Sequence, residues 1–164
     1  MLTDTARRRK LVRWVGAAVL AAVLAGAGFE GWLLFRHHQT EVAAAQALEA
    51  ATRYTLALTS VDAGAVDKNF AAVLDGSTGE FKDMYTKSSA QLRQALITNK
   101  AAAHGTVVDA AVKSATTARV EVVLFIDQSV SNAAAPVPQL DRSRVKMTME
   151  KVDGRWLASK VELP

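Results

Sequence analysis

Residues 117–163 read TARVEVVLFIDQSVSNAAAPVPQLDRSRVKMTMEKVDGRWLASKVEL, and their period decides the fold. From Thr117 to Val130 apolar residues recur at alternate positions. Val120, Val122, Leu124 and Ile126 share one side, and Arg119, Glu121, Val123, Phe125 and Asp127 the other. Such alternation marks a strand with one buried face. Asn132–Gln139 contains Pro136 and Pro138, which cannot donate to a ladder, so this stretch is a loop. Arg142–Val152 alternates again, with Val145, Met147 and Met149 inward and Arg144, Lys146, Thr148 and Glu150 outward. Asp153-Gly154 suits a two-residue type I′ hairpin, whose central residues both need positive φ. It leads into a last strand, Arg155–Leu163, and Thr106–Lys113, after Gly105, supplies the first.

Upstream of these strands the period is helical. Glu41–Ser60 is rich in Ala and Leu and lacks Gly and Pro; Ala44, Leu48, Ala51 and Leu56 form its expected apolar stripe, with Glu41, Glu49 and Arg53 partly exposed. A short helix over Val66–Leu74, with Asp62 as its expected cap, ends at the breaker DGSTG. Phe81, Tyr85, Leu92, Leu96 and Ile97 then mark a helix over Gly79–Thr98. Three helices followed by four antiparallel strands make an α+β domain, the helices covering one face of a curved sheet.

Charge divides the chain differently. The 164 residues carry 20 Lys/Arg and 16 Asp/Glu. Residues 1–13 hold Arg7, Arg8, Arg9, Lys10 and Arg13 against Asp4, so the whole net charge of +4 sits in this tail and the remainder balances 15 against 15. A nucleic-acid-binding domain carries its excess as a patch on the folded part, and that class is excluded. The tail precedes WVGAAVLAAVLAGAGFEGWLLF, residues 14–35. As a helix this stretch reaches roughly 33 Å, enough for a ~30 Å hydrocarbon core. Trp14 and Trp32 stand near its ends as interface anchors, and the basic tail predicts a cytoplasmic N-terminus at the plasma membrane with 36–164 outside the cell. A cleaved leader is the rival reading, with Ala25-Gly26-Ala27 as its cleavage site; the renewed apolar run Trp32–Phe35 favours the uncleaved anchor. Ala18, Ala22, Gly26 and Glu30 recur in fours on one stripe. Small residues so spaced let a partner helix approach, while Glu30 either meets that partner or reaches the outer headgroups.

The order of basic tail, span, helices, strands and terminal hairpin resembles the Mce-associated membrane proteins of actinobacteria. The resemblance is carried by Thr78-Gly79-Glu80-Phe81, Gly105-Thr106-Val107, Val120–Val130 with Asn132, and Val152-Asp153-Gly154-Arg155-Trp156-Leu157, and covers nearly the whole chain. It implies a cone-like domain similar to nuclear transport factor 2, a shape also found in the scaffold subunit of type IV secretion inner-membrane complexes. It further implies an accessory subunit of a Mce lipid importer, with the permease and extracytoplasmic subunits as partners.

Chemistry is sparsely signalled. There is no cysteine, so disulfides and thiolate metal sites are excluded, and the three histidines do not favour a metal site. No phosphate loop, nucleophile elbow or H-E-x-x-H occurs. His104 is expected in an exposed loop and His37 and His38 at the membrane surface. Tyr54, Tyr85 and Trp156 are expected in the core, and Asp109, Glu121 and Asp127 in solvent. Val123 and Phe125 stand out as apolar residues on a charged strand face, a candidate domain interface. These features predict a non-catalytic scaffold subunit without cofactor or metal. A membrane-anchored lipid- or steroid-binding domain, with or without enzyme activity, is the alternative; a deep apolar cavity would favour it.

Overall fold

The computed structural model describes residues 3–62 and 64–163, with the side chains of residues 3–13, 15–23, 25 and 28 left outside that description. The chain divides into two compact units, residues 1–39 and 40–164. Helix α1 covers Thr3–Thr59, α2 Val66–Asp75 and α3 Gly79–Thr98; strands β1 Ala102–Ala115, β2 Arg119–Ser131, β3 Gln139–Val152 and β4 Arg155–Glu162 follow.

The first unit is helical. Trp14, Leu24, Phe29, Trp32, Leu33, Leu34 and Phe35 are exposed. Phe29 and Trp32 stack at a 6.1 Å centroid distance, and the Arg36 guanidinium lies 4.9 Å from the Trp32 ring. Among the described residues no helix is long and apolar enough to cross a membrane. Half the side chains of the expected span 14–35 lie outside the described residues, including Ala18 and Ala22, as does the basic cluster Arg7, Arg8, Arg9, Lys10 and Arg13.

The second unit is the expected α+β domain: helices packed on a four-stranded antiparallel sheet of order β1-β2-β3-β4. The alternation read from the sequence sets its inner face. Val120, Val122, Leu124, Ile126, Val145, Met147 and Met149 are all buried, against Ala47, Ala51 and Tyr54 of α1, Val66, Phe70 and Val73 of α2, and Phe81 and Tyr85 of α3. Burying a side chain of this size contributes about 1.5–3 kcal/mol, so this one layer dominates the domain's stability. The hairpin is as expected, with φ of 49° at Asp153 and 82° at Gly154.

Five details correct the sequence reading. The buried stripe of α1 is Ala43, Ala47, Ala51 and Tyr54, with Thr55, while Ala44 and Leu48 are half-buried and Leu56 is exposed. Three of these five residues are alanines, whose small side chains let the stripe pack on the core with Leu48 at its margin. Asp62 does not cap α2: Ala65 holds the N-cap position, while the Asp62 carboxylate accepts the Gly64 N–H at 2.9 Å. Leu92 and Ile97 are exposed because only the N-terminal half of α3, through Phe81 and Tyr85, is buried. His104 belongs to β1, which begins at Ala102 and pairs with Val61 through Ala103. Finally Thr148, expected outward in solvent, is 2 % exposed. It stands between Glu121 and Lys160 in the register, with Lys146 and Glu150 two residues away on its own strand. The β3–β4 register also shifts between Thr148 and Met149, where the simple alternation of faces breaks.

Candidate functional site

Four rings pack on one another in the core. Tyr54 meets Phe81 edge-on at 6.3 Å, Phe81 meets Tyr85 at 5.9 Å, and Tyr85 meets Phe70 at 5.3 Å. Tyr54 is buried and donates its hydroxyl to the Val73 carbonyl at 3.0 Å. Burial pushes the phenol pKa well above its ordinary value, as it does for Tyr85, so both rings stay neutral. A neutral phenol engaged with a helix carbonyl is a packing residue, in keeping with the amphipathic core role expected from sequence. Trp156 packs half-buried against the same core, its Nε1 without a hydrogen-bond partner, and the Lys151 ammonium lies 5.7 Å from its ring.

The residues that carry chemistry elsewhere in proteins are dispersed. His104 is exposed and lines a shallow groove of about 350 Å³ with Asp62, Lys68 and Asn69. Asn69 is occupied structurally, donating to the Ala57 and Ser60 carbonyls at the end of α1. Among the described residues no group of three or more His, Asp or Glu is placed to hold a metal.

The outer face of the sheet has more organised chemistry. Its alternate positions carry ion pairs, across the strands between Lys113 and Glu121, Arg119 and Glu150, Arg142 and Asp127, and Lys146 and Glu162, and along β4 between Lys160 and Glu162. The Lys146 and Lys160 ammonium groups hold the Glu162 carboxyl below the usual carboxylate range. Set into this lattice is an apolar patch. Phe125 is 44 % exposed, and with Val108 and Leu163 it lines an open groove of about 770 Å³, rimmed by Asp109, Asp127, Arg142 and Arg144. Val123, half-buried, lies on the same face with Ala111 and Lys146 as its register partners.

Phe125 was legible in the sequence; its neighbours were not. Between Val107 and Asp109 the β1–β2 register slips by one residue, leaving Val108 unpaired as a bulge. A bulge re-aims a side chain out of the alternation. Two adjacent valines inside an alternating strand were the available signal. Gly26 and Glu30 of the expected partner-helix stripe are exposed, as are Trp14 and Trp32, while Ala18 and Ala22 lie outside the described side chains.

Comparisons with known proteins place this architecture. The uncharacterized protein Rv1362c of Mycobacterium tuberculosis is 30% identical over 163 residues, covering 96% of this chain and 74% of that protein. The protein named outer membrane protein Rv1973, from the same organism, is 31% identical over 148 residues, covering 86% and 88%. Among solved structures, the periplasmic domain of DotI superposes with a TM-score of 0.60 at 13% identity, covering 71% of this chain and 91% of that one. CagV, a VirB8 homolog of the type IV secretion system of Helicobacter pylori, superposes with a TM-score of 0.58 at 7% identity, covering 73% and 96%. At such identities the likeness is one of fold alone. The family model described as uncharacterized protein Rv1363c/MT1408-like matches residues 12–164, and the chain belongs to that family.

Proposed function

We propose that this protein is a non-catalytic, membrane-anchored accessory or scaffold subunit of a cell-envelope complex. Residues 14–35 form its single span, the basic tail stays in the cytoplasm, and residues 36–164 act outside as an interaction module. The observation that carries this reading is the apolar groove of the outer sheet face, lined by Val108, Phe125 and Leu163, while Tyr54, Phe70, Phe81 and Tyr85 pack on one another in the core. A domain built to hold a steroid or lipid keeps its apolar surface inside; this one turns its spare apolar surface outward. The name of the relative Rv1973, the periplasmic origin of the DotI domain and the secretion-system origin of CagV support an envelope setting.

The finer assignment is the one the family resemblance implies: a subunit of a Mce-type lipid importer, its span packed on permease helices through Ala18, Ala22, Gly26 and Glu30. Affinity purification from native membranes, read by mass spectrometry, tests both levels. Recovery with a permease and extracytoplasmic Mce subunits supports the full reading. Recovery with a different envelope complex keeps the scaffold and removes the lipid-import assignment. Recovery alone removes both. A reporter active only outside the cytoplasm, fused after Pro164, should be active in a protein of unprocessed mass; a soluble form beginning near Gly28 would overturn the anchor.

A further inference from the structure

Strand β3 outruns the strand beside it. Its 14 residues pair with β2 along 12 positions without a shift, whereas β4 has 8 residues and its pairing stops at Lys146 opposite Glu162. Leu163 carries the β4 side a little further, lining one groove with Ser143 and Arg144. Residues 139–143, about 17 Å of strand, then have β2 on one side and, among the described residues, no strand on the other. Nor does any backbone hydrogen bond reach them from a turn, loop or helix among those residues. Four of these five side chains are exposed, although β3 is an inner strand of the sheet order. The outer strands are blunted by irregularity: the β1–β2 register shifts at two places and the β3–β4 register between Thr148 and Met149. The overhang is regular and guarded by charge alone, with Leu140, Arg142 and Arg144 alternating on the outer side and Asp141 and Ser143 on the inner.

We propose that this overhang accepts an extended segment of a partner subunit as an added strand, antiparallel to β3 and continuing the line of β4. Main-chain hydrogen bonds to the open edge supply affinity, and the side chains opposite supply selection. In chain order the segment carries an acid opposite Arg142, a base opposite Asp141 and an apolar residue opposite Leu140. The acid also lies diagonal to Arg144, which makes no ion pair among the described residues. The same charges exclude a second copy of this chain from the edge. Two overhangs joined about a two-fold axis must set a residue against itself, so the registers centred on the open stretch oppose Asp141 to Asp141, Arg142 to Arg142, or Arg142 to Arg144. Like charges directly opposite one another destabilise a strand pair. The proposal rests on the scaffold reading for the source of the segment.

The test uses the full chain in detergent and the fluorescein-labelled peptide Ser-Thr-Glu-Lys-Val-Thr-Ser, with binding read by fluorescence anisotropy. Saturable binding is expected. The isomer Ser-Thr-Lys-Glu-Val-Thr-Ser has the same composition and should bind about fivefold more weakly, because both charged pairs become repulsive. The double variant Asp141→Arg with Arg142→Asp should reverse that preference, and a reversed preference itself shows that the edge is folded. Backbone pairing has its own signature, since alternate amides of an added strand face β3 and the others face away. N-methylation of both the Glu and Val amides, or instead of the two Thr and the Lys amides, should abolish binding in one peptide and spare it in the other. Absence of saturable binding overturns the proposal. Equal affinity for the two isomers, a preference unchanged in the double variant, or equal effects of the two methylation patterns overturn it as well. Purification from native membranes tests the scaffold separately, so the edge can fail while a complex is still recovered.

Discussion

Replacing Gly105 by alanine should destabilise the outer domain, and a second substitution 46 positions earlier should undo the damage. Gly105 lies where β1 crosses the end of α1. Its N–H faces Ser60 Oγ at 3.2 Å, and its register partner Gln128 donates to the Thr59 carbonyl at 2.8 Å. A Cβ on Gly105 would come within 2.5 Å of Thr59 Cβ and closer still to its Oγ1. Thr59 cannot swing aside cheaply: it is β-branched, and its hydroxyl donates to the Thr55 carbonyl at 2.7 Å. Overpacking of this kind costs about 1–3 kcal/mol, and the reduced freedom of the unfolded chain returns about 0.4–1 kcal/mol. The net loss is then about 1–2 kcal/mol, a fall in Tm of roughly 3–10 °C for a domain of this size. Thermal and urea unfolding, followed by circular dichroism at the sheet signal, measure it. In the double variant with Thr59→Gly both clashing atoms are gone, and the two changes should couple by about 1 kcal/mol. A neutral Gly105→Ala, or additive behaviour of the pair, would refute the close approach as the reason for glycine at this crossing.

Thr55 is fully buried and its Oγ1 has no partner, so Thr55→Val should raise stability by about 1 kcal/mol in the same unfolding assay; a loss would show that the hydroxyl is satisfied. The Arg155 guanidinium, through a hydrogen bond and its charge, holds the exposed Asp75 carboxyl below its ordinary range. A depressed folded value means that the unfolded chain takes up the proton first, so stability is present above about pH 3.9 and falls as pH drops toward the folded value. Asp75→Asn should flatten that acid slope, and an unchanged slope in a pH series of melts would count against the pair. For the membrane stripe, Gly26→Leu and Ala22→Leu should reduce co-purification with the partner complex more than Leu20→Ala, with Glu30→Gln milder than Gly26→Leu; equal yields would make the span a simple anchor. Replacing His104, Tyr54 or Tyr85 should lower function only in proportion to lost stability, with Tyr54→Phe costing about 1 kcal/mol for its hydrogen bond to Val73. A folded, assembled variant whose complex nevertheless loses its function would reopen the catalytic or ligand-binding reading.

Local chemistry makes much of the domain legible along the chain itself. The period of two in 117–163 assigns the inner residues of β2 and β3, because a strand's side chains alternate whatever lies above them. Asp153-Gly154 announces its own turn, since few residues tolerate two successive positive φ angles. The span of α3 follows from a glycine after a breaker and an uninterrupted helical period. The charge partition, too, belongs to the sequence alone and motivates the membrane reading. What tertiary structure decided was contact between distant segments. Which face of α1 is buried depended on what packs against it: Ala43, Ala47, Ala51 and Tyr54 are buried, while Leu48 is half-buried and Leu56 exposed. The Val108 bulge depended on β1 having to register with β2, and it built the groove around Phe125 from residues 17 and 38 positions away. Thr148 is buried where the β3–β4 register shifts, and Gly105 is required because a helix end crosses there. Alternation and turn preferences act over a few residues and can be read along the chain. Close approach, bulges and register shifts arise between segments far apart in sequence, and only the folded chain brings those together.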